Sequence, residues 1–369
     1  MDSIRNDNRL IKNEDVAKHY NAVPETGLLV RTQSRIFYLR NFNNWIKSIS
    51  IDDALTKIKD SSRNGRHRSE QEKISVLDMC CGKGGDLLKW KIGNISHLVC
   101  ADIADVSLEQ CKSRYNEMVD RIKNERRSHP IFSCEFIHAD LTEVRLKDRY
   151  LDKNLFFNLC SCQFSLHYSF SDMKRATMML QNACECLKPG GYFIGTIPNA
   201  EQLVYLARQN DDLTFNNEVS SIKFELESLK EGEIPLFGAK YHFTLDEVVN
   251  LPEYLIYFPL LIKLLERFDM EFVYLKTFPE LVKEKLPAEK GLLARMQGLE
   301  PYPPVDDVEL MSKNLDQYSH AKEEIEKIES MEKGKSTEKK ISIGTLSKAE
   351  WEVATMYSAF MFRKKTQVT

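Results

Sequence analysis

The sequence predicts an α/β protein built on a doubly wound, mostly parallel sheet, and three observations predict it. Between residues 74 and 197, short apolar runs alternate with longer amphipathic ones. The apolar runs are near-continuous instead of alternating, as strands covered on both faces must be. A glycine-rich turn, Cys80-Cys-Gly-Lys-Gly-Gly85, joins the first strand of that series to its first helix.

Each element has its own reason. Residues 34–49 place Leu39, Phe42, Trp45, Ile46 and Ile49 on a stripe returning every three to four positions, which predicts a helix. Residues 61–73 are polar and turn-rich and read as a loop. Strands follow at 74–79, 97–102, 134–139, 155–163 and 192–197. Helices separate them at 86–91, 107–123 and 173–187, with a turn at 188–191. Beyond Pro198 the pattern loosens: 219–226 and 239–245 read as strands paired about a turn at Gly232, 257–268 as a helix, 271–278 as a strand. Residues 305–340, rich in Asp, Glu and Lys, read as a solvated helix or mobile insert, and 354–362 as a last, antiparallel strand. The expected organisation is a helical N-terminal segment over 1–70 and an α/β domain over 71–369 that carries the insert.

Composition narrows the classes. Fifty-two Lys+Arg against fifty-five Asp+Glu give a net charge of −3, which excludes a wholly basic nucleic-acid coat but not a local basic patch. The most apolar stretch, 254–262, is nine residues long and contains Pro259, so no transmembrane helix and no membrane partner are expected. The N-terminal residues MDSIRNDNRLIKNED contain no apolar core of a secretory signal. The nine cysteines are scattered and never spaced C-x2-C, so no zinc framework is expected and they read as reduced core thiols.

The glycine-rich turn has the setting of a nucleotide site. Asp78 ends the first strand, Asp102 closes the second some twenty residues on, and Asp140 follows the third. A small residue at Gly82 lets the backbone approach a ligand, and Asp102 suits ribose hydroxyls. A dinucleotide needs its pyrophosphate at the helix N-terminus. An acidic loop mouth at Asp78 suits an ammonium and a sulfonium instead, and Asp140 can accept from an adenine amino group. Three carboxylates at consecutive strand ends favour S-adenosylmethionine (SAM) over NAD. Each taken singly is equally a helix cap or a loop residue.

At this point the residues resemble a known family. TQSRIFYLRNFNNWIKS, VLDMCCGKGGDLLKWK, ADIADVS, SCQFSLHYSF, LKPGGYFIGTIPN, PLFGAKYHF, LPEYLIYFPLL and TLSKAEWE are similar to the mRNA cap guanine-N7 methyltransferases over residues 16–362. The long N-terminal extension of some animal members is not matched. The resemblance implies a seven-stranded, Rossmann-like methyltransferase sheet with an inserted hairpin and a helical lobe. It implies SAM contacts from Lys47, Cys80, Asp102, Asp140, Gln163 and Tyr168. Cap contacts are implied from Asn43, Asn44, Lys83, Lys89, Arg114, His167, Glu253 and Tyr357. Two positions depart from the pattern: Cys80 stands where the family usually has glycine, which puts a Cβ beside the cofactor, and Asn158 where related methyltransferases often have aspartate. The implied partner is 5′-capped RNA, with an activating subunit or the capping and transcription machinery as a further expectation, and the implied location is the nucleus.

The chemistry fits such residues. Guanine N7 carries a lone pair in its neutral form, so no proton must leave before attack, and the absence of an obvious general base is expected. Glu253 can accept from N1–H and N2–H2 together, which adenine cannot match, and His167 can donate to O6; these two are the candidate catalytic residues. From spacing alone, Glu253 reads equally as an exposed carboxylate beside Pro252, and His167 as a core histidine. Phe164 and Tyr357 are candidate walls for the purine. Lys83, Lys89 and Arg114 are candidates to neutralise the triphosphate, and Arg31, Arg35 and Arg40 extend a basic face among aromatics. Two alternatives stay open: a SAM methyltransferase of another nucleophile, and a non-catalytic cap-binding protein with a degenerate cofactor pocket.

Overall fold

The apolar runs become strands and the amphipathic runs helices. The structure, a computed structural model, describes residues 13–22, 32–63, 73–124, 131–225, 233–305, 309–332 and 341–366. In chain order the strands are β1 (Ser75–Met79), β2 (His97–Asp102), β3 (Ser133–His138), β4 (Phe157–Gln163), β5 (Leu187–Pro198) and β6 (Thr214–Asn216). Then come β7 (Ser220–Phe224), β8 (Lys240–Leu245), β9 (Val249–Tyr254), β10 (Met270–Thr277), β11 (Glu300–Tyr302), β12 (Ile343–Thr345) and β13 (Tyr357–Lys364). The first helices are α1 (Asn13–Ala22), α2 (Phe37–Arg63), α3 (Leu87–Ile92), α4 (Asp105–Asn124) and α5 (Met173–Cys184). The rest are α6 (Ala200–Ala207), α7 (Phe258–Glu266), α8 (Phe278–Arg295), α9 (Ser319–Glu332) and α10 (Lys348–Thr355).

Seven strands form one sheet in the order β10-β13-β5-β4-β1-β2-β3. The contiguous strands β5, β4, β1, β2 and β3 pair in parallel, while β13 runs antiparallel to both β10 and β5. Successive residues of β1 face opposite layers. Leu77 and Met79 join a core with α5 and α7, whereas Val76 joins one with α2, α3 and α4. Both faces are covered, which explains the unbroken apolar text. The chain moves outward through β1, β2 and β3, then returns to place β4 on the other side of β1. Ligands of such sheets bind at the carboxyl ends of the strands beside that reversal.

The second unit is larger than the expected hairpin: β6, β7, β8 and β9 make a four-stranded antiparallel sheet. Strand β9 escaped the hydropathy reading because Pro252 interrupts it. It is an edge strand, where a missing N–H costs no ladder bond. The turn expected at 188–191 instead opens β5, with a register shift against β4. Helix α2 runs to Arg63, beyond the predicted stripe. Its first half (Leu39, Phe42, Trp45, Ile46) packs with the four-stranded sheet, α8 and α10; its second half (Ile51, Ala54, Leu55) packs on the seven-stranded sheet. The expected insert contributes α9 and is flanked by the small β11–β12 pair, while 306–308 and 333–340 lie outside the described residues, as do Arg31, Gly232 and 64–72. Among the described residues no helix is long and apolar enough to cross a membrane.

Candidate active site

Strand β1 leads directly into a loop with repeated left-handed backbone: Cys80 at φ 54°, Gly82 at φ 50° and Gly84 at φ 73°. A Cβ at Gly82 would meet nothing within 4 Å, so the loop there borders open space instead of packed side chains. Asp102 fixes the loop, since its Oδ2 accepts from the Gly82 N–H at 2.7 Å and its Oδ1 from the Ala104 N–H at 2.7 Å. Burial pushes the Asp102 carboxyl up, and those backbone donors offset only part of that. Cys80 adopts the same left-handed region with a side chain, a conformation that favours glycine. Its contact with the Cys162 thiol, then burial, push the Cys80 thiol well up, which disfavours the thiolate.

A cavity of about 880 Å³ runs from this loop to the four-stranded sheet. On its cofactor side it is lined by Lys47, Cys80, Gly82, Asp102, Asp140, Gln163 and Tyr168. Asp140 is oriented by the Thr142 N–H at 2.9 Å and hydroxyl at 2.8 Å, and Gln163 is held between Ser161 (3.0 Å) and Thr196 (3.1 Å). On the other side Asn43, Asn44, Lys83, Arg114, Phe164, His167, Glu253 and Tyr357 line the same space. Fifteen of the residues expected from sequence are thus brought together.

Two are not. Asp78 lies in the strand interior, where its Oδ2 accepts from Trp90 Nε1 at 3.1 Å. Burial, then the charge of Asp86, push its carboxyl well up, which removes the anionic loop mouth expected there. Lys89 turns inward: its Nζ lies 2.8 Å from Asp86 and also donates to Asn44. Lys47 reaches the same carboxylate at 2.8 Å. Burial would raise Asp86, yet these two cations hold it at about 2. Burial pulls Lys89 down in turn, with Lys47 acting in the same direction against the attraction of Asp86. Two lysines and an aspartate therefore bolt α2 to α3 beneath the loop. Arg35 is likewise engaged, 3.0 Å from Glu218 and 3.5 Å from Glu350, while Arg40 lines the cavity.

Glu253, 3% exposed, is the focus of the far end. Its Oε2 accepts from Tyr241 at 2.6 Å and its Oε1 from Tyr168 at 3.1 Å, and Tyr168 in turn meets the Tyr20 hydroxyl of α1 at 3.1 Å. His167 Nε2 stands 3.3 Å from Oε1 without hydrogen-bond alignment, and both of its ring nitrogens lack a hydrogen-bond partner, as does Asn43 Oδ1. Buried polar atoms without partners on a cavity wall are the mark of a ligand site. Burial alone would push the Glu253 carboxyl up, yet His167 and the two tyrosine hydroxyls hold it below the ordinary glutamate value. A buried anion is thus ringed by donors and open to the cavity.

Aromatic rings supply the adjacent wall. Phe164, itself at φ 57°, meets Tyr357 edge-on at 5.1 Å, and Phe278 stacks against Tyr357 at 5.8 Å. The Thr196 carbonyl (3.0 Å) and hydroxyl (2.9 Å) hold the Phe164 N–H in that conformation. Sequence reasoning missed Tyr20 and Tyr241. Tyr241 is the cross-strand partner of Glu253, so reading 249–254 as a strand would have exposed it. Tyr20 left no such signal, because helix α1 is short and polar.

The residues at the cofactor end fit SAM: an open glycine, an acceptor pair at a strand end and a further carboxylate after the next strand. Comparison with known proteins gives the same direction. Residues 3–365 match the mRNA (guanine-N(7))-methyltransferase domain. The mRNA cap guanine-N(7) methyltransferase of Caenorhabditis elegans is 45% identical over 356 residues, covering 96% of this chain and 88% of that protein. The Drosophila melanogaster protein of the same name is 43% identical over 351 residues (95% and 76%), and that of Schizosaccharomyces pombe 33% over 288 (77% and 74%). A SAM-dependent methyltransferase structure from Clostridium acetobutylicum aligns over 96% of this chain and 99% of its own at 11% identity, with a TM-score of 0.41, too distant to bear on the assignment. With the match running from one end of the described fold to the other and the relatives covered over most of their length, the chain belongs to the mRNA cap guanine-N7 methyltransferase family.

Proposed function

We propose that the chain transfers the methyl group of SAM to N7 of the terminal guanosine of GpppN-capped RNA. The observation that carries this reading is Glu253: a buried carboxylate held ionised by Tyr241, Tyr168 and His167, on the wall of the cavity that also holds the glycine-rich loop. SAM, when bound, supplies a methyl on a positively charged sulfur already activated for transfer. Lys47, Cys80, Gly82, Asp102, Asp140, Gln163 and Tyr168 are the residues that would hold it. Glu253 faces the N1–H and N2–H2 edge of guanine, His167 donates toward O6, and Phe164 and Tyr357 confine the ring. Asn43 and Asn44 position the nucleoside from α2, and Lys83 and Arg114 offset phosphate charge. Lys89, buried against Asp86, serves by fixing Asn44. No side chain has to remove a proton, because N7 attacks with its own lone pair; orientation within a dry cavity can supply ~7–11 kcal/mol.

In this reading the N-terminal segment over 1–70 contributes Tyr20, Asn43, Asn44 and Lys47 to one wall of the site, while the domain over 71–369 supplies the methyltransferase sheet. The partner is capped RNA, the location the nucleus, and an activating subunit or the transcription machinery is a further proposed partner. Incubation of the full chain with methyl-labelled SAM and GpppN-RNA should place label on guanine N7. Label only on ribose hydroxyls, or only on a small molecule, refutes the reading in favour of another nucleophile. Cys80 at φ 54° favours the second reading, a cap-binding protein with a degenerate cofactor pocket. Calorimetry separates the two: cap analogue binding without SAM binding supports the second.

A further inference from the structure

Four cysteines from four separate segments converge on the α4 side of the sheet, away from the cavity. Cys81 follows Cys80 in the glycine-rich loop, Cys100 is the fourth residue of β2, Cys111 faces inward from α4, and Cys134 lies in β3. The Sγ atoms of Cys81, Cys100 and Cys111 all lie within 4.8 Å of one another. Cys111 Sγ is 4.0 Å from Cys100 Sγ, and Cys134 Sγ is also 4.0 Å from Cys100 Sγ. Thiolates around a tetrahedral zinc ion, at ~2.3 Å from the metal, stand about 3.8 Å apart. Cys100 and Cys111 therefore already have the spacing of a metal-thiolate site, and Cys81, half-buried and within 4.8 Å of both, reaches it by a shift of no more than about 1 Å. Among the described residues this is the one group of three or more metal-ligating side chains that converge in this way.

We propose that Cys81, Cys100 and Cys111 bind a soft, thiophilic metal ion of the zinc class. Sulfur donors select such ions over magnesium or calcium. Binding releases the thiol protons to solvent and leaves the sulfur oxidation state unchanged. The absence of C-x2-C spacing is no obstacle, because the ligands are gathered by the glycine-rich loop, β2 and α4 instead of by one ribbon. The consequence is mechanical. Cys81 immediately precedes Gly82, whose N–H holds Asp102 at 2.7 Å, and a Cβ on Gly84 would lie 2.7 Å from Cys111 Sγ. A metal here would staple the cofactor loop to β2 and α4 from behind.

The test uses the reduced, metal-free full chain and Co2+ as a coloured stand-in for Zn2+. One equivalent should produce intense sulfur-to-cobalt charge-transfer absorption in the near ultraviolet, and Zn2+ should displace it. Cys111→Ser should abolish that band, whereas Cys186→Ser, in the core on the opposite face, should keep it. Should Cys111→Ser fail to fold, wild type alone decides the matter through alkylation read by mass spectrometry. Zn2+ should slow modification of Cys81 tenfold or more while leaving Cys80 unchanged. Absence of a stoichiometric charge-transfer band, a band that survives in folded Cys111→Ser, or equal protection of Cys80 would reduce the group to hydrogen-bonded core thiols and overturn the proposal.

Discussion

Replacing Glu253 by glutamine tests the reading at the atom on which it depends. The substitution keeps volume and one carbonyl oxygen but turns the other oxygen into a donor. In the wild type Oε2 is engaged by Tyr241 at 2.6 Å and Oε1 by Tyr168 at 3.1 Å, so either orientation of the amide sets its NH2 against a donor already in place. The guanine edge loses one of two acceptors at the same time. A hydrogen bond to a charged group is worth ~1.5–3 kcal/mol, and a buried donor left unpaired adds to the loss. A total of about 3 kcal/mol lowers kcat/KM by roughly two orders of magnitude. Folding should survive, since replacing a buried charge by a neutral group of the same shape removes a desolvation cost as well as attractions. The assay is methyl transfer to GpppN-RNA from labelled SAM, run beside an inosine cap that lacks the 2-amino group. Wild type should prefer guanosine strongly and Glu253→Gln much less. If kcat/KM and base preference were both unchanged with the protein folded, Glu253 would not read the purine and the proposed function would lose its support.

Three further outcomes follow. Because Glu253 is held below its ordinary value of 4.5, the stability it contributes is complete above that pH and lost as pH falls through the depressed value; acid unfolding of Glu253→Gln should show a flatter acid limb than wild type. Cys80→Gly removes a side chain from a left-handed position worth ~1–2 kcal/mol of strain, while glycine costs ~0.5–1 kcal/mol through the unfolded chain. Stability should therefore rise by no more than about 1.5 kcal/mol and S-adenosylhomocysteine should bind more tightly by calorimetry; weaker binding would show the thiol to be a useful contact. Arg114→Ala and Lys89→Ala should part company. The first lowers the salt dependence of RNA binding by roughly one unit of slope, and the second lowers Tm without changing the slope, because Lys89 is committed to Asp86 at 2.8 Å.

What the sequence revealed followed periodicity and local chemistry. The parallel strands were legible because burial on both faces leaves an unbroken apolar run, and the glycine-rich loop because its residues must adopt left-handed backbone next to a strand. Glu253 was legible only through resemblance. Pro252 hides its strand, and its partners Tyr241 and Tyr168, with Tyr20 beyond Tyr168, come from β8, the segment after β4, and α1, which no local pattern joins. Asp78 and Lys89 failed for a related reason. Sequence places charges on a loop and on a helix but does not say which way they turn; Trp90 and Asp86 capture them from within. The thiol cluster was invisible for the same cause, since Cys81, Cys100 and Cys111 are 11 to 30 positions apart along the chain and meet only when the loop, β2 and α4 pack.

A reaction without a general base places its demand on the distance between two bound ligands, and here those ligands rest on different sheets. The cofactor residues stand at the ends of β1, β2 and β4, while Glu253 and Tyr241 belong to the four-stranded sheet. Helix α2 is the member common to both, packing one half in each core and turning Asn43, Asn44 and Lys47 to the cavity between them. Trp45, fully buried at the hinge between these contacts, sets its seat. Trp45→Phe removes part of that packing for ~1–2 kcal/mol of stability and lets the helix settle differently. Since a misplacement of ~1 Å can cost ~100-fold in rate, kcat should fall about tenfold or more. The dissociation constants of S-adenosylhomocysteine and of cap analogue, measured separately, should move less than threefold. A variant that lost both affinities in proportion to its rate would show α2 to be general scaffolding, and one that lost neither rate nor affinity would show that the alignment is fixed elsewhere.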